Sequence, residues 1–361
     1  MKNNQLTEYS IQLPAWFDND GPESDVVTST RIRLARNLAD HHFCYHAKTS
    51  ERKKIFNEIS DALKDSEKFS NFELINFSGL NDLEQLFLVE ERIVSADLLK
   101  VEGDRGVASD LTHRINIMIN EEDHLRMQSI DSGFRPAGLW NIINKMDDEL
   151  GSRLKFAFDP ARGFLTCCPT NSGTGLRVSF LMHLPGLVLT KTIDAVLQGA
   201  SQMGISTRGF FGEHSEVVGN FFQLSNQATM GAHEEEFLEN TQRTINEVIR
   251  HERKARERIF KDAKLELTDK VYRAYGILLH ARTLSIKECL NLTSALRFGV
   301  VLGLFKLITI EELNRITLMS MPAHLQKYRD SSMDESGMLV ARAELVRELL
   351  KRKRKRKSSR T

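Results

Sequence analysis

Up to about residue 234 short alternating apolar runs are interspersed with helical stretches, and beyond it the apolar residues recur at helical spacing throughout. Residues 114–120 and 125–130 alternate, with the polar Glu121, Glu122, Asp123 and His124 between them, which predicts two strands and a polar connection. Residues 154–168 read as strand, turn, strand, and 205–231 as strand, glycine-bearing turns, strand. Residues 26–33 read as a further strand, and 50–63, 83–100 (broken near Ser95), 139–150 and 192–203 as helices. Strands that follow one another without regular βα alternation predict an antiparallel α+β domain. From 241 onward, 241–264, 270–281, 285–296, 310–318 and the amphipathic 340–350 predict a helical bundle. The expected organisation is an N-terminal segment over 1–20, an α+β domain over 21–240, a helical domain over 241–350 and a basic disordered tail over 351–361.

The net charge of +1 over 361 residues conceals an asymmetry. Eight of the 50 basic residues lie in 351–357 and at Arg360, so the remainder is acidic, at about −7. Such a run reads most simply as a solvated tail, and secondly as a nonspecific hold on nucleic acid. The cysteines, Cys44, Cys167, Cys168 and Cys289, show neither zinc-site spacing nor a disulfide framework, so a reducing cytoplasm is expected. The polar start lacks the apolar core of a signal segment, and the longest apolar runs, 180–189 and 298–305, fall short of the ~20 residues that cross a bilayer. No membrane association is expected.

Five segments can carry chemistry. In Ser29-Thr30-Arg31-Ile32-Arg33, the two arginines share a face if the chain is extended, and could grip a polyphosphate. Alone they read as surface arginines. Glu121, Glu122 and Asp123 repel one another unless cations are near, and Arg126 follows them. Taken alone, this is a solvated acidic turn. Cys168-Pro169-Thr170-Asn171-Ser172-Gly173-Thr174-Gly175-Leu176-Arg177 places a thiol beside a small-residue loop suited to an anion, although an isolated cysteine is more often a small core residue. Arg208-Gly209-Phe210-Phe211-Gly212-Glu213 separates a cation from a carboxylate by a turn, and Leu224-Ser225-Asn226-Gln227 reads as a strand end. There is no Walker loop, GxGxxG fingerprint or protein-kinase HRD/DFG set, so a nucleotide site here would be built from arginines.

In this order the segments resemble the phosphagen (guanidino) kinases. Gly21-Pro22-Glu23-Ser24-Asp25, His183-Leu184-Pro185 and the run 270–278 bring the likeness closer to bacterial protein-arginine kinases of the McsB type. The resemblance implies an α+β fold, an antiparallel-sheet phosphagen-kinase catalytic domain followed by a C-terminal helical domain. It implies transfer of the γ-phosphoryl group of ATP, with Mg²⁺ carried by the nucleotide and no protein metal ligand, to arginine side chains of proteins.

By the same resemblance, Glu122 and Glu213 hold the acceptor guanidinium, Glu122 is the general base, and Cys168 is a positioning thiolate. Nucleotide contacts fall to Ser29, Thr30, Arg31, Ile32, Arg33, Arg92, Arg126, Arg177, Val178, Ser179, Phe180, Leu181, Arg208, Gly209, Phe210, Phe211 and Gly212. Implied partners are proteins with exposed arginines, a zinc-binding activator protein, a Clp-type ATPase or protease in stress-related quality control, and a second copy in a homodimer. The short stretch before the first arginine block favours an open acceptor site. Alternatives are a kinase for free arginine or another small guanidino compound, and a nucleic-acid-binding or adaptor protein with a vestigial kinase domain.

Two departures stand out. Arg92 occupies a place where related chains often carry His. Met338-Leu339 replaces the Arg-Asp pair of an Arg-Asp-x-x-Arg-Ala motif linked to phosphoarginine binding, leaving Arg342-Ala343. Weak or absent phosphoarginine regulation is expected.

Overall fold

The computed structural model describes residues 13–210 and 217–358, with the backbone alone over 352–358. Its centre is an eight-stranded sheet in the order β2-β3-β4-β5-β1-β8-β10-β9. The strands are β1 (Val27–Arg36), β2 (Phe72–Asn76), β3 (Gly106–Asp110), β4 (Ile115–Ile119), β5 (Leu125–Ser132), β8 (Leu176–His183), β9 (Ile205–Gly209) and β10 (Phe221–Asn226). Every pairing is antiparallel, and β6 (Phe158–Asp159) and β7 (Gly163–Phe164) form a separate two-stranded ladder.

One face of the sheet is apolar. Ile32 and Leu34 of β1, Met127 of β5, Val178 and Phe180 of β8 and Leu224 of β10 join one buried cluster. Helix α1 (Thr49–Lys64) contributes Ile55 and Ile59, and α3 (Pro136–Gly151) contributes Leu139 and Ile143. Helix α2 (Asp82–Glu90) runs to the edge of the opposite face, its start fixed by an Asn81–Glu84 capping box. The short α4 (Pro185–Leu189) and α5 (Ile193–Gln202) lead to β9, and α6 (Glu234–Asp262) brings Val248 and Ile249 to the same cluster.

Beyond α6 the chain is helical: α7 (Lys264–His280), α8 (Ile286–Val301), α9 (Ile310–Met319), α10 (Pro322–Arg329) and α11 (Glu335–Ser358). Val271, Leu278, Leu296, Phe298, Ile316 and Val346 form a second core there. A third cluster, with Trp16, Ile130, Leu181, Phe210, Phe221, Leu290 and Met321, joins the polar side of the sheet to these helices. Deeper in the same junction, Arg256 donates to the His183 carbonyl, and His183 Nε2 lies 2.8 Å from Ser294 Oγ.

The structure corrects two expectations. The basic run continues α11 through Ser358 rather than starting as a disordered tail at 351, consistent with the high helix propensity of Lys and Arg. The segment 83–100 breaks at Arg92, whose φ is 60°, and resumes as a 3₁₀ turn, Ala96–Lys100, capped by Ser95.

Candidate active site

Directly paired residues in an antiparallel sheet point to the same side. Arg33 of β1 pairs with Arg177 of β8 and Gln128 of β5, and Arg31 pairs with Ser179 and Ile130. Arg126 pairs with Ala35, two residues beyond Arg33. Ser225 pairs with Ser179 and Ser206, and Arg208 pairs with Gln223, which pairs with Leu181. Arg31, Arg33, Arg126, Arg177 and Arg208 therefore stand on one face, the one turned away from the apolar core.

Repulsion and burial mark this face. Burial, then the charges of Arg92, Arg126, Arg177 and Arg208, pushes Arg31 down to about 9. Arg33 is pushed well below the usual guanidinium range by burial and by Arg31, Arg126 and Arg177. Among the described residues neither Arg31 nor Arg33 has an ion-pair partner, and the buried Arg33 Nε makes no hydrogen bond. Hydroxyls supply the local contacts: Arg31 Nε to Ser179 Oγ at 3.5 Å and Arg177 Nη2 to Ser225 Oγ at 3.0 Å. Two buried cations without an ion-pair partner, set among further arginines, suit a polyanion.

The three adjacent carboxylates divide their work. Glu121 is buried and receives Arg126 Nη1 at 2.8 and 2.5 Å, along with the Ser95 hydroxyl. Burial acts against the charge on Arg126, yet Glu121 raises its pKa overall. Asp123 is buried and accepts from Asn37 Nδ2 at 2.6 Å and from the Cys167 amide at 2.7 Å, pinning the strand that leads into Cys168. Glu122 alone reaches outward, with its side chain 39% exposed, 3.9 Å from Arg126. Burial raises its pKa, while Arg126 opposes the shift. Asn171 Nδ2 donates to Glu122 Oε2 at 3.3 Å, which sets the Cys168 loop beside this carboxylate.

That loop is tightly fixed. Gly173 has φ 102°, and a Cβ there would meet the Thr229 carbonyl oxygen at 2.3 Å, so only glycine fits. Thr229 Oγ1 donates to the carbonyls of Thr170 and Ser172 at 3.0 and 2.6 Å. Cys168 Sγ lies 3.0 Å from Thr170 Oγ1.

Of the expected nucleotide contacts, Ser29, Ser179 and Arg92 are on or beside the arginine face. Arg92 sits over the Trp16 ring at 4.5 Å from its centroid and donates to the Phe210 carbonyl at 3.4 Å. Strand alternation turns the side chains of Thr30, Ile32, Val178 and Phe180 to the core side, where Thr30 Oγ1 donates to the Gly133 carbonyl, so a nucleotide contact from these residues would fall to their main chain. Leu181 shares the arginine face, but it and Phe210 are buried in the cluster around Trp16. Gly209 ends β9 opposite Phe222. Phe211, Gly212 and Glu213 lie outside the described residues. Sequence alone assigns no separate role to Glu121, Asn171 or Ser225, although all three lie in the chemistry-bearing segments, and it gives no sign of Ser206. Strand register aligns Ser206 and Ser225 with Ser179, while Glu121 and Asn171 take their roles from contacts with Arg126 and Glu122.

The model of the ATP:guanido phosphotransferase C-terminal catalytic domain matches residues 54–255, and that of the protein-arginine kinase McsB C-terminal domain matches 264–361. The chain is similar to the protein-arginine kinase of Halalkalibacterium halodurans, 40% identical over 95% of this chain and 96% of the relative. It is also similar to that of Bacillus subtilis (strain 168), 38% identical over 94% and 93%. Among solved structures it resembles lombricine kinase, with TM-score 0.57 and 22% identity over 67% of this chain and 71% of that one. It likewise resembles the duplicated taurocyamine kinase from Schistosoma mansoni with bound transition-state analogue components, with TM-score 0.60 and 24% identity over 75% and 42%. These likenesses give the fold; together with the family matches and the close relatives, they establish that this chain belongs to the guanidino kinases, in the branch of the protein-arginine kinases.

Proposed function

We propose that this chain transfers the γ-phosphoryl group of ATP to the guanidinium of arginine side chains in proteins. The observation that carries the reading is the arginine face itself: Arg31 and Arg33 held close to like charges without an ion-pair partner among the described residues, beside the outward-facing Glu122. Arg31, Arg33, Arg126, Arg177 and Arg208 bind the phosphates and stabilise the charge spread over the group in transit. Phosphoryl transfer depends mainly on such positioning and electrostatics. The hydroxyls of Ser179 and Ser225 orient two of these guanidiniums. Mg²⁺ would be carried on the nucleotide's own oxygens, where it offsets phosphate charge.

The acceptor imposes a proton problem. An arginine side chain holds its proton far above neutral pH, so deprotonating it there costs roughly 8 kcal/mol. A carboxylate beside it favours the charged form, so prior ionisation is excluded. Glu122 therefore takes the proton as the N–P bond forms and the bond from the γ-phosphorus to the bridging oxygen breaks, with ADP leaving; its raised pKa suits it to that exchange. Glu213 completes the grip on the acceptor. Cys168, next to the Asn171–Glu122 contact, orients the guanidinium and forms no covalent intermediate.

Proteins are proposed as acceptors because the close relatives are named protein-arginine kinases. Marking for Clp-type proteolysis, a zinc-binding activator, a homodimer and a cytoplasmic location complete the proposal. No described helix is long and apolar enough to cross a membrane. Incubation with γ-labelled ATP and either an arginine-rich protein or free arginine tests the acceptor. Acid-labile label on the protein is expected; label confined to the free amino acid would assign the activity to a small guanidino compound instead.

A further inference from the structure

The turn carrying Arg92 is held from two sides. On the sheet side, Gln128 Nε2 donates to the carbonyls of Arg92 and Ile93 at 2.6 and 3.2 Å. The other grip comes from the C-terminal helices, at the first turn of α10. Glu90 accepts from the amides of Ala323 and His324 at 2.8 and 3.0 Å and lies 2.7 Å from His324 Nδ1. Glu91 lies 2.7 Å from His324 Nε2, and its carbonyl accepts from the Trp16 indole at 2.9 Å. Arg92 follows immediately, in a left-handed conformation that a non-glycine residue adopts only when its surroundings hold it there.

His324 is fully buried. Each ring nitrogen faces a carboxylate, and an ionised carboxylate only accepts, so both nitrogens donate and the ring is an imidazolium. The Phe87 ring packs against it at 4.5 Å, with Lys327 on that same ring and Arg342 near enough for its charge to feel Glu90. Removing the imidazolium leaves two successive buried carboxylates repelling each other directly before Arg92.

We propose that His324 is a positioning residue: its imidazolium, supplied by the C-terminal helices, sets the Glu90–Arg92 turn so that the Arg92 guanidinium joins the phosphate-binding arginines. Nucleotide affinity then depends on how the helical region is seated, although His324 touches no substrate. The inference rests on the arginine face being the nucleotide site.

The test compares His324→Gln, Arg92→Ala and the double variant in the full chain, measuring KM for ATP, kcat and Tm. His324→Gln is expected to raise KM roughly tenfold with kcat within about threefold, and to add less than about twofold in the Arg92→Ala background, the non-additivity of two residues acting through one contact. If His324→Gln fails to fold, Glu91→Gln, which keeps the Glu90–His324 pair, replaces it with the same expectation. Multiplicative effects in the double variant, or a lowered Tm with unchanged KM, would overturn the proposal. An Arg92→Ala variant with normal KM would overturn the nucleotide role of Arg92, and the proposal with it. Effects from Arg92→Ala but not from His324→Gln would overturn the coupling alone.

Discussion

Strand β1 carries arginines on both faces of the sheet, and they live opposite lives. Arg36 points to the core side, where Asp147 meets its Nε at 3.0 Å and its Nη2 at 2.6 Å, the Thr174 carbonyl takes Nη1 at 2.8 Å, and the Phe164 ring lies beneath. Three residues earlier, Arg33 is nearly as buried, but it faces other arginines and leaves Nε without a partner. The two together give a rule for sorting charged residues in this fold. On β1 the arginine whose donors are spent supports structure and the one left short is open to a ligand; Arg126, paired with Glu121 yet on the phosphate-binding face, serves both. Glu121, locked onto Arg126, and the outward-facing Glu122 repeat the contrast with the opposite sign.

The carboxylates put that rule under the most severe test. Glu122→Gln is expected to lower kcat by roughly 10³-fold or more with Tm and ATP binding near those of the parent, as for a group that acts only in the chemical step. Single-turnover transfer and nucleotide titration check this, and near-normal turnover would remove Glu122 as the base. Because burial raises the Glu122 pKa, the acid limb of kcat should lie above the usual carboxylate range, with rate rising as pH rises through it. Glu121→Gln should instead cost both Tm and ATP affinity, since it releases Arg126.

The β1 arginines come next. Arg33→Met is expected to cut kcat/KM by about 10² to 10³ while Tm holds or rises, because a cation short of partners is removed. Asp147→Ala should do the reverse: a loss of roughly 3 to 5 kcal/mol of stability, because Arg36 is left buried without its counter-ion, with near-normal activity in the molecules that remain folded. Thermal melts beside initial rates separate the two. Equal loss of stability in both variants would dissolve the distinction between the faces.

The α+β character and the switch to helices were legible from periodicity alone, because alternation and helical spacing are local properties. The arginine segments were legible as chemistry, but their convergence was not. Arg33 and Arg177 are neighbours only through the β1–β8 register, which no local pattern encodes. Strand alternation also divides each contiguous block between the two faces. A contiguous block such as 177–181 contributes every second side chain to the site, and Val178 and Phe180 go to the core. His324 was invisible in sequence, since its meaning comes from Glu90 and Glu91, far along the chain.

The mildest consequence concerns a third arginine of the satisfied kind. Arg342 remains where the resemblance implies a phosphoarginine-binding motif, but it is only 3% exposed. Its Nε donates to the Ser320 carbonyl at 2.8 Å, and its Nη1 to the carbonyls of Leu284 and Met338 at 2.8 and 3.4 Å. Met338, in the place of the motif's leading arginine, packs against the apolar cluster of Met319, Leu325 and Leu345. A guanidinium with these donors spent on main-chain carbonyls and an apolar neighbour offers little to a phosphate, which needs several charge-assisted donors at once. Free phosphoarginine should therefore change kcat by less than about twofold, well under the roughly 5- to 150-fold range of ordinary allosteric coupling. Titration under initial-rate conditions measures it. A tenfold response would mean that Arg342 gives up its carbonyls for the ligand, and that even a satisfied charge in this fold can exchange its structural partners for a functional one.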